Sequence, residues 1–431
     1  MAASTGDFGG SGWQSPRPGA EPRLTLEEVF REERGLLLAA LVRRFGDLDL
    51  AEEVTSEAIE AALVRWPAEG VPPKPGAWLM TTARRKAVDR LRRDQAYAAR
   101  LAVLQVEAER AAPAPPSPDG ELPDERLQLF FTCAHPALSA EDRAALTLRC
   151  LAGLTTPEVA RAFLVPSATM GKRIVRAKSR IRTLRIPFRV PEADELPGRL
   201  PGVLQVVYSI FTEGYAASSG PDLQRLDLAE EAIRLARILR RLLPGEREVA
   251  GLLALMLLIH ARRDARTGPD GDLVLLDDQD RGRWDRAMIE EGAALVVAAL
   301  SGGPPGWYGV QAAIAALHDE APDVASTDWP QVVALYDVLR GLAPSPVVEL
   351  NRAVAVAMRD GPAAGLALLD SLADEPRLRG YSPFPAARGD LLSRLGRTSE
   401  AAVAYQEALA LAGTEPERAH LRRRLTECAS S

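Results

Sequence analysis

The sequence predicts an all-α protein. Apolar residues recur at intervals of three and four along most of the chain, the period of a helix with one buried face. Leu and Ala dominate while aromatic residues make up only 5%, a composition that suits packed helices better than a β-sandwich. Clusters of Pro and Gly interrupt the apolar runs at helix-length intervals, and such clusters end helices. With 431 residues, 47% hydrophobic and 26% charged, the chain has material for about two to four cores. A wholly disordered chain and a fibre are excluded.

Residues 1–23 are rich in Gly, Ser and Pro and lack an apolar stretch, which predicts a disordered tail and no signal peptide. A first unit spans 24–100. Its first helix, 24–44, turns Leu26, Val29, Phe30, Leu37 and Leu41 inward, and its second, 50–66, is expected to stop at Pro67. The segment 67–76 holds four prolines and two glycines and is a stiff loop. A third helix, 77–100, places Leu79, Ala83, Val88 and Leu91 on its inner side. Residues 101–123, ending in AAPAPPSPDGELP, form a linker by composition. A compact helical unit follows at 124–189. A helical extension at 190–330 shows helix patterns at 203–212, 227–243, 246–264, 281–300 and 312–317. Gly- and Pro-rich breaks fall at 268–271, 302–306 and 343–346.

The last unit, 331–431, contains an internal echo. DGPAAGLALLDSL (360–372) and LGRTSEAAVAYQEALAL (395–411) each place a glycine before small apolar residues at helical spacing. Gly361 and Gly396 lie 35 positions apart, near the tetratricopeptide period of about 34. Gly396, Ala401, Tyr405 and Ala408, with Pro416 beyond, resemble the second half of such a repeat. The unit is expected to be a TPR-like array that presents a surface to a protein partner.

Charge is unevenly distributed. The net charge is −6, but residues 124–189 carry +7 and residues 190–431 carry −10. The run from Lys172 to Arg189 contains Lys172, Arg173, Arg176, Lys178, Arg180, Arg182, Arg185 and Arg189 without an acid. A second run, Arg84, Arg85, Lys86, Arg90, Arg92 and Arg93, is opposed only by Asp89. Such local basic faces are the electrostatic footprint of nucleic-acid binding, even on a protein acidic overall.

The segment LTTPEVARAFLVPSATMGKRIVRAKSRIR (154–182) has the pattern of a helix-turn-helix. Thr156 is placed to N-cap a helix with Pro157 and Glu158 in its first turn and Val159, Ala160 and Phe163 inward. Val165-Pro166 would stop it. Ser167 would cap a second helix with Met170, Ile174, Ala177 and Ile181 on one face. Thr169, Lys172, Arg173, Arg176 and Arg180 share the other, which suits insertion into a DNA major groove.

Residues 138–182 resemble region 4 of bacterial extracytoplasmic-function sigma factors. AEEVTSEAIEAALVRWP (51–67) resembles the family's region 2 helix that docks on the RNA polymerase clamp, and AWLMTTARRKAVDRLRR (77–93) its promoter-melting helix. One position departs, for Arg85 stands where many relatives carry Asn. DERLQLFFTCAHPAL (124–138), FTEGY (211–215) and LLDDQDRGRWD (275–285) resemble the subgroup with a long TPR-like extension. The resemblance implies a sigma factor with core RNA polymerase and promoter DNA as partners. Region 4 would read the −35 element through Ser167, Thr169, Lys172, Arg173, Arg176 and Arg180. Region 2 would open the −10 element through Trp78, Arg84, Arg85, Lys86, Arg92 and Arg93, the basic residues contacting phosphates and Trp78 facing a flipped base. Glu52, Glu53 and Glu57 would meet basic residues of the polymerase clamp. A polymerase-independent helix-turn-helix regulator is the alternative, and it leaves the second basic helix and the acidic docking helix without a role.

Other features point to structure. Cys133, Cys150 and Cys428 are too widely spaced for a disulfide framework. His135, His260, His318 and His420 show no paired metal-ligand spacing, and Cys133 with His135 fits a packed turn. His260, Arg262, Asp264 and Arg266, with Asp277, Asp278 and Asp280, suit an ion-pair network better than a ligand pocket. No nucleophile elbow, phosphate loop or dinucleotide fingerprint is present, so neither an enzyme nor a cofactor is expected. No apolar run is long enough to span a membrane, and a cytoplasmic protein is the expectation.

Overall fold

The computed structural model describes residues 26–102, 125–163 and 165–430. The expected tail and nearly all of the expected linker lie outside these residues. Among the described residues there are eighteen α-helices and no strand. The first three are α1 (Leu26–Phe45), α2 (Leu48–Glu69) and α3 (Pro75–Ala102). Leu37 and Leu41 of α1, Val54 and Ala58 of α2, and Leu79 and Ala83 of α3 are buried together. Leu91, expected inward, is exposed, one turn beyond the buried Ala87. Pro67 does not end α2. Its fixed φ is helical, and the helix continues until Gly70, whose left-handed φ of 82° and N–H bond to the Trp66 carbonyl (2.9 Å) terminate it.

A second group contains α4 (Arg126–Cys133), α5 (Ala140–Cys150), α6 (Thr156–Ala162) and α7 (Ser167–Thr183). Cys133 and Cys150 are buried free thiols within it. A mutual hydrogen bond and then burial push the Cys133 thiol well above its usual value. His135 accepts at Nδ1 from the Ala137 N–H (3.2 Å), and the turn it belongs to is packed.

The extension begins with α8 (Leu196–Tyr215), α9 (Leu226–Leu242) and α10 (Arg247–His260). Buried residues surround the whole circumference of α10, from Val249 to Leu258, and α8, α9, α11 (Arg286–Leu300) and α12 (Trp307–Glu320) pack around it. The helix expected from 281 starts later, at Arg286, where Asp285 caps the Met288 N–H (3.1 Å). One continuous core runs from α1 to α12. Arg262 and Asp319 form a buried pair (2.7 Å) inside it, and Arg263 meets Asp285 (3.3 Å). Of the residues expected in a network around His260, Arg262 thus pairs with Asp319 rather than with Asp277, Asp278 or Asp280.

The chain continues as hairpins of α13 (Trp329–Leu342), α14 (Pro346–Asp360), α15 (Pro362–Asp370), α16 (Pro383–Arg394), α17 (Thr398–Leu411) and α18 (Glu415–Ser430). The division expected after residue 330 falls inside α13. Gly361 and Gly396 make the turns before α15 and α17 with φ of 98° and 72°, a region that favours glycine. The end of the array returns to the first part of the extension. Gly220 bridges Thr414 just before α18, and Arg423 pairs with Asp272.

Candidate nucleic-acid interface

Helix α6 is capped one residue earlier than expected. Thr155 sits in extended backbone and its Oγ1 accepts from the Glu158 N–H (3.4 Å), while the Glu158 carboxylate accepts from the Thr155 N–H (2.6 Å). This capping box puts Thr156 and Pro157 in the first turn. The helix ends at Ala162, ahead of Val165-Pro166. Pro166, not Ser167, is the N-cap of α7, and no side chain caps that helix. Ser167 is its first residue and is exposed.

Helix α7 divides as its spacing predicts. Met170, Ile174, Ala177 and Ile181 are buried, while Thr169, Lys172, Arg176 and Arg180 are exposed. Arg173 is half-buried, its guanidinium 5.7 Å from the centre of the Phe163 ring. The basic side of α3 is less uniform. Arg85, Arg92 and Arg93 are exposed, whereas Arg84 and Lys86 are half-buried. Trp78 is half-buried, edge-on to Trp66 at 5.4 Å, and Trp66 stacks on Phe30 at 5.3 Å.

The three glutamates of α2 separate into two environments. Glu53 is exposed and pairs with Arg90, and Glu57 is half-buried and bonds to Lys86 at 3.0 Å. Glu52 is buried, which corrects its assignment to an exposed acidic face. Its carboxylate lies between α2 and the second helical group, paired with Arg149, Lys178 (2.5 Å) and Arg34 (3.8 Å). Burial alone would raise the Glu52 carboxyl, yet the surrounding cations hold it below its usual value. Burial likewise lowers Lys178, but Glu52 and Asp49 lift it above the usual ammonium value. Asp49 also pairs with Arg182. Two residues of the recognition-type helix are thereby tied to α2.

Sequence reasoning missed this cluster, although Lys178 carried a signal. It lies four residues after Ile174 and three before Ile181, on the buried side of α7, where a charge requires a partner. Nothing local identified Glu52, Arg149 and Arg34 as that partner set.

Two compact helical groups, each carrying a basic helix and one of them a helix-turn-helix, define a two-part DNA-binding protein. Residues 29–97 match sigma-70 region 2, residues 131–181 match sigma-70 region 4, and residues 199–300 match a family of unknown function, DUF6596. An uncharacterized protein of Rhizobium meliloti (strain 1021) is 44% identical over 396 residues, covering 91% of this chain and 93% of that protein. The ferric citrate uptake sigma factor FecI of Escherichia coli (strain K12) is 26% identical over 174 residues, 40% of this chain and 98% of its own length. No solved structure matches significantly. The chain belongs to the extracytoplasmic-function sigma factors of the sigma-70 family, with a helical C-terminal extension. It therefore serves transcription initiation with core RNA polymerase and promoter DNA. No described helix is long and apolar enough to cross a membrane.

Proposed function

We propose that this sigma factor reads its −35 element with the outer face of α7 and opens its −10 element with α3. The observation that carries this is the division of α7, with four apolar side chains packed inward and Thr169, Lys172, Arg176 and Arg180 exposed together. Arg173 joins them by leaving its Phe163 platform, and Ser167 adds a hydroxyl at the helix start. On α3, Arg84, Arg85, Lys86, Arg92 and Arg93 serve as phosphate contacts, and Trp78 edges the pocket for a flipped base. Glu53 and Glu57 are the docking carboxylates, exchanging Arg90 and Lys86 for basic residues of the clamp. Glu52 has no part in docking, because its buried charge is already met by three cations.

The two regions must separate to work. Elements about 25 base pairs apart lie roughly 85 Å apart along the duplex at 3.4 Å per base pair, whereas α2 and α7 here are in direct contact. Residues 103–124, fully extended, would reach at most roughly 75 Å, so the dimensions of the two regions must supply the rest of that separation. The TPR-like hairpins offer a surface to a protein partner and support initiation.

Run-off transcription with purified core polymerase tests the reading. Promoter-specific initiation that requires the chain is the expected result. A specific gel shift without polymerase, and no initiation with it, favours the autonomous regulator.

A further inference from the structure

A cavity of about 300 Å³ lies where region 4 meets the extension, between α5, α6, α8 and α9. Junctions of this kind are where ligand pockets concentrate. Leu148, Phe163, Val206, Ile210 and Leu228 form the apolar part of its wall. Among the charged groups that line it, Arg143 of α5 stands out. Its Nε is buried without a hydrogen-bond partner among the described residues. Its guanidinium lies against α8, 3.9 Å from where a Cβ would stand at Gly202, an ordinary van der Waals contact. The two carboxylates do not neutralise it. Glu141 is exposed on the first turn of α5, its own backbone and Ser139 holding it below its usual value. Glu213 accepts from the Ser218 N–H and hydroxyl (both 3.3 Å) and faces Arg225 at 3.8 Å.

We propose that this cavity binds a small carboxylate with an apolar body, its charged end on Arg143 and its hydrocarbon or ring against Val206, Ile210 and Phe163. An apolar wall beside a cation whose Nε has no partner selects for that chemistry: the body packs on the apolar side chains, and the head makes a charge-assisted bond to the guanidinium. The site also has a route to DNA. Phe163 is at once a wall of the cavity and the platform beneath Arg173, so an occupant that shifts its ring changes how Arg173 is held. This second step rests on the DNA-binding role proposed for α7; binding itself does not.

Titration calorimetry of the full chain with sodium octanoate, octanol and octylammonium tests the site. Saturable binding of octanoate at one site, with octanol and octylammonium at least tenfold weaker, is expected. Arg143→Met should weaken octanoate about tenfold or more, the loss of one charge-assisted hydrogen bond, and Arg143→Lys should recover part of it. Ser209→Trp, at an exposed rim position, should block octanoate while leaving the melting temperature of the free protein unchanged. Equal affinity for octanoate and octanol, unchanged affinity in Arg143→Met, or no saturable binding would each overturn the proposal. If octanoate binds as expected but leaves promoter binding by the holoenzyme unaltered, the route through Phe163 is wrong and the site stands.

Discussion

At position 52 a carboxylate is surrounded by three cations and largely withdrawn from water. Removing one partner of such a cluster leaves the others buried and uncompensated, so Glu52→Gln is expected to destabilise the chain by about 3–5 kcal/mol, measured by chemical denaturation at neutral pH. The pH dependence has a definite sign. Because the folded Glu52 value is depressed, its contribution is complete above the unfolded value near 4.5 and is lost as pH falls through the lower folded value. The wild-type midpoint should fall over that acid window, and Glu52→Gln should lack this component. Glu53 and Glu57 behave differently. Their partners Arg90 and Lys86 are half-exposed, and such pairs are worth about 0–1 kcal/mol. Neutral Gln at both positions should leave the fold intact and weaken core polymerase binding, whereas Lys would also set like charges against α3. Arg173 and Arg176 to Ala should cost about 1–3 kcal/mol per good base contact; unchanged −35 occupancy of the holoenzyme would remove them from the interface.

At the scale of elements, the caps decide how the helix-turn-helix is held. Thr155 closes a reciprocal capping box, so Thr155→Ala should lower stability by about 1 kcal/mol in thermal melts, with Thr156→Ala costing less. Ser167 caps nothing. A loss of DNA affinity in Ser167→Ala, with the melt unchanged, would therefore report a direct contact. Within the extension, α10 and α12 approach closely at Gly251, where a Cβ would sit 2.5 Å from the Gly309 nitrogen. Gly251→Ala should force those helices apart at a cost of roughly 1–3 kcal/mol. Some of these elements were legible from spacing alone, as with the buried and exposed faces of α7. Caps were legible only to within one residue, because Thr155 and Thr156 are chemically equivalent candidates and the backbone chooses between them. Pro67 misled for another reason: it removes one backbone hydrogen bond but its own φ is compatible with a helix, and the stop came from Gly70.

At the scale of the molecule, the extension is fastened to region 4. Arg199, Arg225 and Arg234 donate to the carbonyls of Phe131, Ala162 and Leu151, and α8 packs against α4 and α5. Region 4 and the extension are therefore expected to move together when region 2 separates. Fluorescence energy transfer between labels on α2 and α7 should fall when core polymerase is added, and an unchanged signal would argue against opening. Truncation after Arg189 should lower transcription, since it removes the partners of those carbonyls and uncovers the core face of α5. Higher activity from a folded truncation would make the acidic half an inhibitor. By itself, the sequence determined the helical class, the order of the two regions and the basic outer face of α7, because each depends on residues near one another in the chain. Only the tertiary structure decided that Glu52 is buried among three cations, that Lys178 and Arg182 reach α2, and that a cavity lies under Phe163. Those features depend on which surfaces meet across tens to more than a hundred residues, and periodicity within a helix carries no information about its partner.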